Sequence, residues 1–133
     1  MQPNQIVLPV DELNNGTPVN ETLTRFEEYL NRSVYVSNTH TVASRDTLTF
    51  YRTFPKANGN FKGVSKISFK LSRDITVDGV DGISTIAAPV IVEVSFSLPV
   101  GITDAQALVC RQRTLALLDL DSVMVPFSSQ LMI

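Results

Sequence analysis

The residues that most restrict the fold lie between Val64 and Leu71. In Val64-Ser65-Lys66-Ile67-Ser68-Phe69-Lys70-Leu71 apolar and polar side chains alternate with period two, the period of a β-strand and of no helix. Ile67, Phe69 and Leu71 therefore share one side, and Lys66, Ser68 and Lys70 the other. A strand of this kind belongs in a sheet with one oily and one basic face. Thr47 to Phe54 precedes it, and Pro55-Lys56-Ala57-Asn58-Gly59-Asn60 between the two is a turn, so a hairpin is expected. A further run, Val90 to Leu98, sets Val92, Val94, Phe96 and Leu98 against Ile91, Glu93, Ser95 and Ser97 and ends at Pro99.

Around this centre the other elements are shorter. Gln5 to Val10 reads as a strand, and Asn14-Asn15-Gly16 marks a turn before a second strand around Thr17 to Arg25, giving an N-terminal hairpin over residues 1–25. Phe26 to Leu30 reads as irregular, and Ser33 to Ser37 as a strand bounded by the polar stretch Asn38 to Ser44, so the main sheet is expected over 33–98. Asp78-Gly79-Val80-Asp81-Gly82, with its two glycines, is expected to be a mobile loop. After Gly101 the period changes. Thr103 and Gln106 have the spacing of a capping box, and Asp104 suits the positive end of a helix dipole. Ala105, Leu108, Val109, Leu115 and Ala116 form an apolar stripe, with Arg111 and Arg113 outside it, to about Leu118. Asp119-Leu120-Asp121 ends this helix, and Ser122 is expected to cap a second one through about Leu131, with Pro126 one turn in; the helices thus cover 103–131. Strands followed by helices indicate an α+β class. The closing Leu131-Met132-Ile133 calls for cover by a partner.

Composition narrows what such a chain can do. At 133 residues, 44% of them hydrophobic, the chain is expected to form one domain over 1–133. No stretch approaches the ~18 apolar residues of a membrane span, and Met1 to Gln5 lead into no secretory pattern, so neither membrane association nor export is expected. One cysteine, Cys110, cannot close an internal disulfide, and one histidine, His40, leaves too few ligands for zinc; no metal and no cofactor is expected. The net charge of −2 hides a strong segregation. Residues 1–44 carry −3 and residues 74–133 carry −5, whereas Arg45 to Arg73 hold seven basic residues against Asp46 alone, a segment of +6.

Catalytic patterns are missing: the chain has no Gly-x-Ser-x-Gly, no His-Glu-x-x-His and no phosphate loop. His40 reads as a loop residue, Cys110 as a small hydrophobe within a helix, and the acid pairs Glu27 with Glu28 and Asp119 with Asp121 as solvated surface. Asn31-Arg32-Ser33 has the form of a glycosylation acceptor without a secretory context. An enzyme with a small-molecule substrate is not expected. The informative constellation is the basic strand face, where Lys66, Ser68 and Lys70 adjoin Thr49, Tyr51 and Thr53 of the neighbouring strand. Ammonium groups meet phosphates, hydroxyls bond base edges or 2′-hydroxyls, and a Tyr ring stacks on an unpaired base, which suits single-stranded RNA. The alternative is a solvated polar face, such as one side of many antiparallel sheets presents.

Several runs, in this order and spacing, resemble the coat proteins of the small icosahedral single-stranded RNA bacteriophages, the levivirus type, and especially the branch that includes Q-beta. They are Leu48-Thr49-Phe50, the turn Pro55 to Asn60 with Phe61-Lys62, Val94-Ser95-Phe96-Ser97-Leu98 followed by Thr103-Asp104, Arg113 through Leu115-Ala116-Leu117-Leu118, and Gln130-Leu131. The resemblance implies an N-terminal hairpin, a five-stranded antiparallel sheet and two C-terminal helices. It further implies an interlocked homodimer, with the helices of one subunit across the sheet of the other, a continuous ten-stranded sheet, and assembly into an icosahedral shell. The partners implied are a second copy of the chain, genomic single-stranded RNA, and an RNA hairpin bound as translational repressor; the location implied is the virion, assembled in the bacterial cytoplasm.

Carried onto this chain, the RNA-facing positions are Thr49, Tyr51, Thr53, Lys66, Ser68, Lys70 and Glu93, with Lys62 at the turn. The loop Asp78, Gly79, Val80, Asp81 and Gly82 corresponds to the one that meets neighbouring dimers at symmetry axes. The chain departs from the pattern at Tyr51, where a small hydroxyl residue is implied, and at Arg52, which falls on the otherwise apolar face. A capsid subunit is the leading expectation, and a cellular RNA-binding module that does not assemble is the alternative.

Overall fold

Six antiparallel strands follow one another in sequence order across one sheet: β1 (Gln5–Val10), β2 (Val19–Glu28), β3 (Arg32–Ser37), β4 (Asp46–Thr53), β5 (Val64–Asp78) and β6 (Thr85–Pro99). Two helices, α1 (Asp104–Leu118) and α2 (Asp121–Gln130), complete the α+β order expected from the sequence. This computed structural model describes residues 2–132, so Ile133 of the apolar terminal trio lies outside the described residues. No helix among the described residues is long and apolar enough to cross a membrane.

The strands differ from expectation where polar residues mask the alternation. The N-terminal hairpin exists, but it is continuous with the main sheet instead of standing apart from a five-stranded one. β2 runs past Arg25 to Glu28 and pairs with β3 from Leu23 opposite Ser37 to Glu28 opposite Ser33. The segment read as irregular is therefore strand as far as Glu28. A bulge between Arg25 and Glu27 inserts an extra residue and breaks the period at that point. β5 continues well beyond Leu71, because the positions of Ile67, Phe69 and Leu71 extend in step to Ile75 and Val77. β6 begins at Thr85 and contains Pro89; as the last strand in the order it tolerates a residue without an N–H.

The chain forms two compact units. The first comprises the sequence through Pro55 together with Ser65–Ser97. Its core is Leu23, Tyr35 and Leu48, with Ile6, Leu8, Phe50 and Phe69 packed against them. Register brings them to one face: Ile6 lies opposite Leu23, Tyr35 opposite Leu48, and Phe50 opposite Phe69. Tyr35 and Phe50 meet edge to face at 5.7 Å. Tyr35 is fully buried, and its hydroxyl is satisfied by donating to the Pro3 carbonyl at 2.6 Å while Arg25 Nε donates to it at 3.4 Å. Arg25 also pairs with Glu28 at 2.9 Å and donates to the carbonyl of Gln2, so one phenol and one guanidinium tie the N-terminal residues to the sheet.

The second unit comprises Lys56–Val64 and the chain from Leu98 onward. Asn58 and Phe61 exchange backbone hydrogen bonds of 2.9 and 3.1 Å around Gly59. Gly63 has φ +94°, and a Cβ there would stand 2.4 Å from the Lys56 carbonyl oxygen, so only glycine fits; its own carbonyl accepts the Val100 N–H at 3.0 Å. The capping box of α1 is present: Thr103 Oγ1 accepts from the Gln106 N–H at 3.3 Å, and the Thr103 N–H donates to Gln106 Oε1 at 3.0 Å. The N-cap of α2 is Leu120, with no side-chain bond, and Ser122 lies inside the helix instead of capping it. Neither helix contains a buried residue, and Leu117 and Leu118 are as exposed as Leu115, so apolar side chains spread beyond the expected stripe.

The β5–β6 loop, expected to be mobile, is closed by bonds. The Gly79 N–H donates to the Ser84 carbonyl at 2.6 Å and the Gly82 N–H to the Gly79 carbonyl at 3.0 Å. Asp81 is the hub, accepting from Ser84 Oγ at 2.7 Å, the Ser84 N–H at 2.9 Å and the Ile83 N–H at 3.0 Å. These donors, the Ser84 hydroxyl foremost, hold the carboxyl down from 3.8 to about 2. Gly82, at φ +69°, supplies the left-handed residue of the turn.

Two outcomes follow for stability. Replacing Leu48 by Ala empties the centre of the core and should cost about 2–5 kcal/mol in denaturant unfolding at fixed protein concentration. Because the Asp81 carboxyl is held below its ordinary value, its contribution to loop order is present above pH ~4 and lost as the pH falls through about 2. Amide exchange at Ile83 and Ser84, corrected for intrinsic rates, should accelerate over that interval in the natural chain. In Asp81→Ala the same amides should exchange fast at every pH.

Candidate nucleic-acid interface

The pairing of β4 with β5 decides which side chains share a surface. Thr49 lies opposite Lys70, Tyr51 opposite Ser68, and Thr53 opposite Lys66, while Leu48, Phe50 and Arg52 lie opposite Leu71, Phe69 and Ile67. Opposed residues in an antiparallel pair project to the same side. The six expected positions thus form three cross-strand pairs on one face, alternating hydroxyl or phenol on β4 with lysine or serine on β5. Thr53, Lys66 and Tyr51 are exposed, Ser68 and Lys70 half-buried, and Thr49 buried, so they are not equally open to a ligand.

Glu93 lies on β6 and is exposed. Phe96 of the same strand lines a cleft of about 430 Å³ with Phe50, Ile67 and Phe69. Alternation puts Glu93 and Phe96 on opposite sides of β6. Lys62 is exposed and belongs to the second unit, next to Gly63. The loop from Asp78 to Gly82 presents Val80 fully to solvent.

Sequence reasoning missed one cation on this face. Arg32 of β3 is the cross-strand partner of Tyr51, so Arg32, Tyr51 and Ser68 make a row across three strands. The signal was not available in the sequence, since it depends on how β3 registers against β4. Arg52, on the opposite face as expected, is bound to the β2–β3 turn: its Nε donates to the Leu30 carbonyl at 2.9 Å and its N–H to the Asn31 carbonyl at 3.1 Å. The guanidinium also lies 5.2 Å from the Phe54 ring centroid. The apolar face is otherwise open, and Ile67 on it is 44% exposed.

Elsewhere the polar groups have structural employment. His40 Nδ1 accepts the Asp46 N–H at 3.1 Å and its ring lies 6.3 Å from that of Phe26, so it organises the β3–β4 connection. Asp46 in turn accepts from Ser37 Oγ at 2.6 Å and Thr39 Oγ1 at 2.8 Å. Among the described residues, no three His, Cys, Asp or Glu side chains are grouped to hold a metal ion. Cys110 is an exposed free thiol.

No family model matches the sequence, and no curated protein matches it. Solved structures do match the fold. The virus-like particle of bacteriophage AVE019 is similar with a TM-score of 0.77 and 22% identity, over 97% of this chain and 96% of that one. The virus-like particle of Beihai levi-like virus 21 gives 0.72 at 14% identity, over 100% and 98%. The bacteriophage EMS014 coat protein gives 0.61 at 20% identity, over 89% and 74%. With identities this low and coverage this complete, what is shared is the arrangement of strands and helices: the chain has the coat-protein fold of levi-like bacteriophages.

Proposed function

We propose that this chain is the structural subunit of an RNA-bacteriophage capsid, assembling as homodimers into an icosahedral shell around single-stranded genomic RNA in the host cytoplasm. The observation that carries this reading is a single sheet with chemically opposite faces, in a fold shared with chains that form virus-like particles. The face bearing Tyr51, Lys66, Ser68 and Lys70 is the RNA-facing one, and it also serves an RNA hairpin whose binding represses translation. Supporting it, the surrounding segment Arg45 to Arg73 carries +6 in a chain of net charge −2. The role is structural and not enzymatic.

The opposite face serves dimerisation. Phe50, Ile67, Phe69 and Phe96 line an open cleft there, and Leu108, Val109, Leu115 and Phe127 of the helices are exposed in the single chain. A second copy offers the matching apolar surface, and each 100 Å² of it removed from water contributes about 2.5 kcal/mol. Two sheets then join into one of more strands, doubling the basic patch. The loop at Asp78, Gly79, Val80, Asp81 and Gly82, with its exposed Val80, meets neighbouring dimers.

Size-exclusion chromatography of the expressed chain tests the assembly. Megadalton particles with a nucleic-acid absorbance ratio are expected, whereas a clean RNA-binding dimer would instead identify the non-assembling module. Lys66→Ala with Lys70→Ala should weaken RNA binding and shallow its salt dependence by about one unit of slope per lost phosphate contact. Arg111→Ala with Arg113→Ala should do neither; a larger effect from the helix pair would place RNA elsewhere.

A further inference from the structure

We propose that Asn58, and not Asn15, is a site of spontaneous deamidation, converted to aspartate and isoaspartate by attack of the Gly59 backbone nitrogen on its side-chain amide. The chain holds two Asn-Gly pairs, Asn15-Gly16 in the β1–β2 turn and Asn58-Gly59 in the β4–β5 connection. Both pairs are exposed, and both glycines have positive φ, +81° and +61°, with open space around them. Sequence and exposure therefore do not separate the two pairs; hydrogen bonding does. In the reaction hydroxide removes the glycine amide proton, the nitrogen bonds to the asparagine Cγ, and the side-chain nitrogen leaves as ammonia. Water then opens the succinimide at either carbonyl, giving aspartate or isoaspartate.

At Asn15 both reacting groups are engaged. The Gly16 N–H donates to Asp11 Oδ2 at 2.8 Å, and Asn15 Oδ1 accepts the Thr17 N–H at 2.9 Å, while the Asn15 N–H donates to Asp11 Oδ1 at 3.1 Å. Attack must break the first of these bonds, and an amide anion formed beside the Asp11 carboxylate sets two like charges together. At Asn58 the restraints lie on other atoms. Its backbone N–H and carbonyl exchange hydrogen bonds with Phe61, but among the described residues none holds the Asn58 side chain or the Gly59 N–H. Nucleophile and electrophile are both free there. The product alters its surroundings: isoaspartate adds a carbon to the main chain, out of step with the Asn58–Phe61 bridge, in the connection that Gly63 ties to Val100. A negative charge also enters between Lys56 and Lys62, within the basic segment.

Ageing of the purified natural protein in mildly alkaline buffer, followed by peptide mapping with mass spectrometry, tests this. Because two hydrogen bonds must break at Asn15, Asn58 should convert at least about tenfold faster. In denaturant, where neither pair keeps its bonds, the difference should disappear. Asp11→Ala should raise the rate at Asn15 by about the same factor and leave Asn58 unchanged. Asn15 converting as fast as Asn58 in the natural protein overturns the proposal without requiring any variant to fold, as does an unreacted Asn58 over the interval in which the denatured chain converts. A rate difference that persists undiminished in denaturant overturns it too, because it would then belong to the sequence. So does a rate at Asn15 that does not respond to Asp11→Ala.

Discussion

The register of β4 against β5 is the constraint on which the rest depends. Leu48 opposite Leu71 and Phe50 opposite Phe69 fix it from the core side, with the two phenylalanine rings 6.4 Å apart. The far end of the pairing is pinned by Arg45, whose N–H donates to Asp74 Oδ2 at 2.9 Å and whose carbonyl accepts the Asp74 N–H at 2.8 Å. A slip of one residue would carry Lys66 and Lys70 into the apolar face and Phe69 onto the basic one. Separation of charge from oil across the sheet is thus a consequence of packing around Tyr35 and Leu48, and whatever binds either face inherits it.

The same register explains what could be read from sequence. Strong alternation in Val64 to Leu71 and Val90 to Leu98 located much of the two longest strands and put Lys66, Ser68 and Lys70 on a common face, because period two leaves one solution when a face is buried. The capping box at Thr103 and Gln106 located the start of α1, since both partners lie within one turn. Legibility ended where the structure depends on residues distant in sequence. Phe26 to Glu28 looked irregular because a bulge against β3 shifts the phase. Pro89 concealed the first part of β6, whose edge position alone makes it tolerable. Arg32 could not be assigned to the basic face without its partner Tyr51. The loop at Asp81 was signalled by its glycines, but not the carboxylate that collects three donors within it.

The two faces place different demands on the chain. The apolar one leaves Ile67, Leu71 and Ile75 exposed, and many apolar residues of α1 and α2 are exposed as well. If a second copy covers these residues, as proposed, folding and association are thermodynamically linked and apparent stability rises with protein concentration. The polar face instead combines a buried Thr49, half-buried Ser68 and Lys70, and open Tyr51 and Lys66. Such a gradient favours a ligand that lies along the surface, as a flexible single strand does, over one that needs a deep pocket. Tyr51 is the point at which this chain departs from the small hydroxyl residue implied by its resemblance.

Electron cryomicroscopy of particles purified from expressing cells tests the central claim most directly. The account predicts closed shells in which Phe50, Phe69 and Phe96 are covered by a second copy of the chain, while Lys66 and Lys70 face RNA density in the interior. Shells with that face turned outward, or purified chains whose apolar face stays open to solvent without assembly, would contradict it.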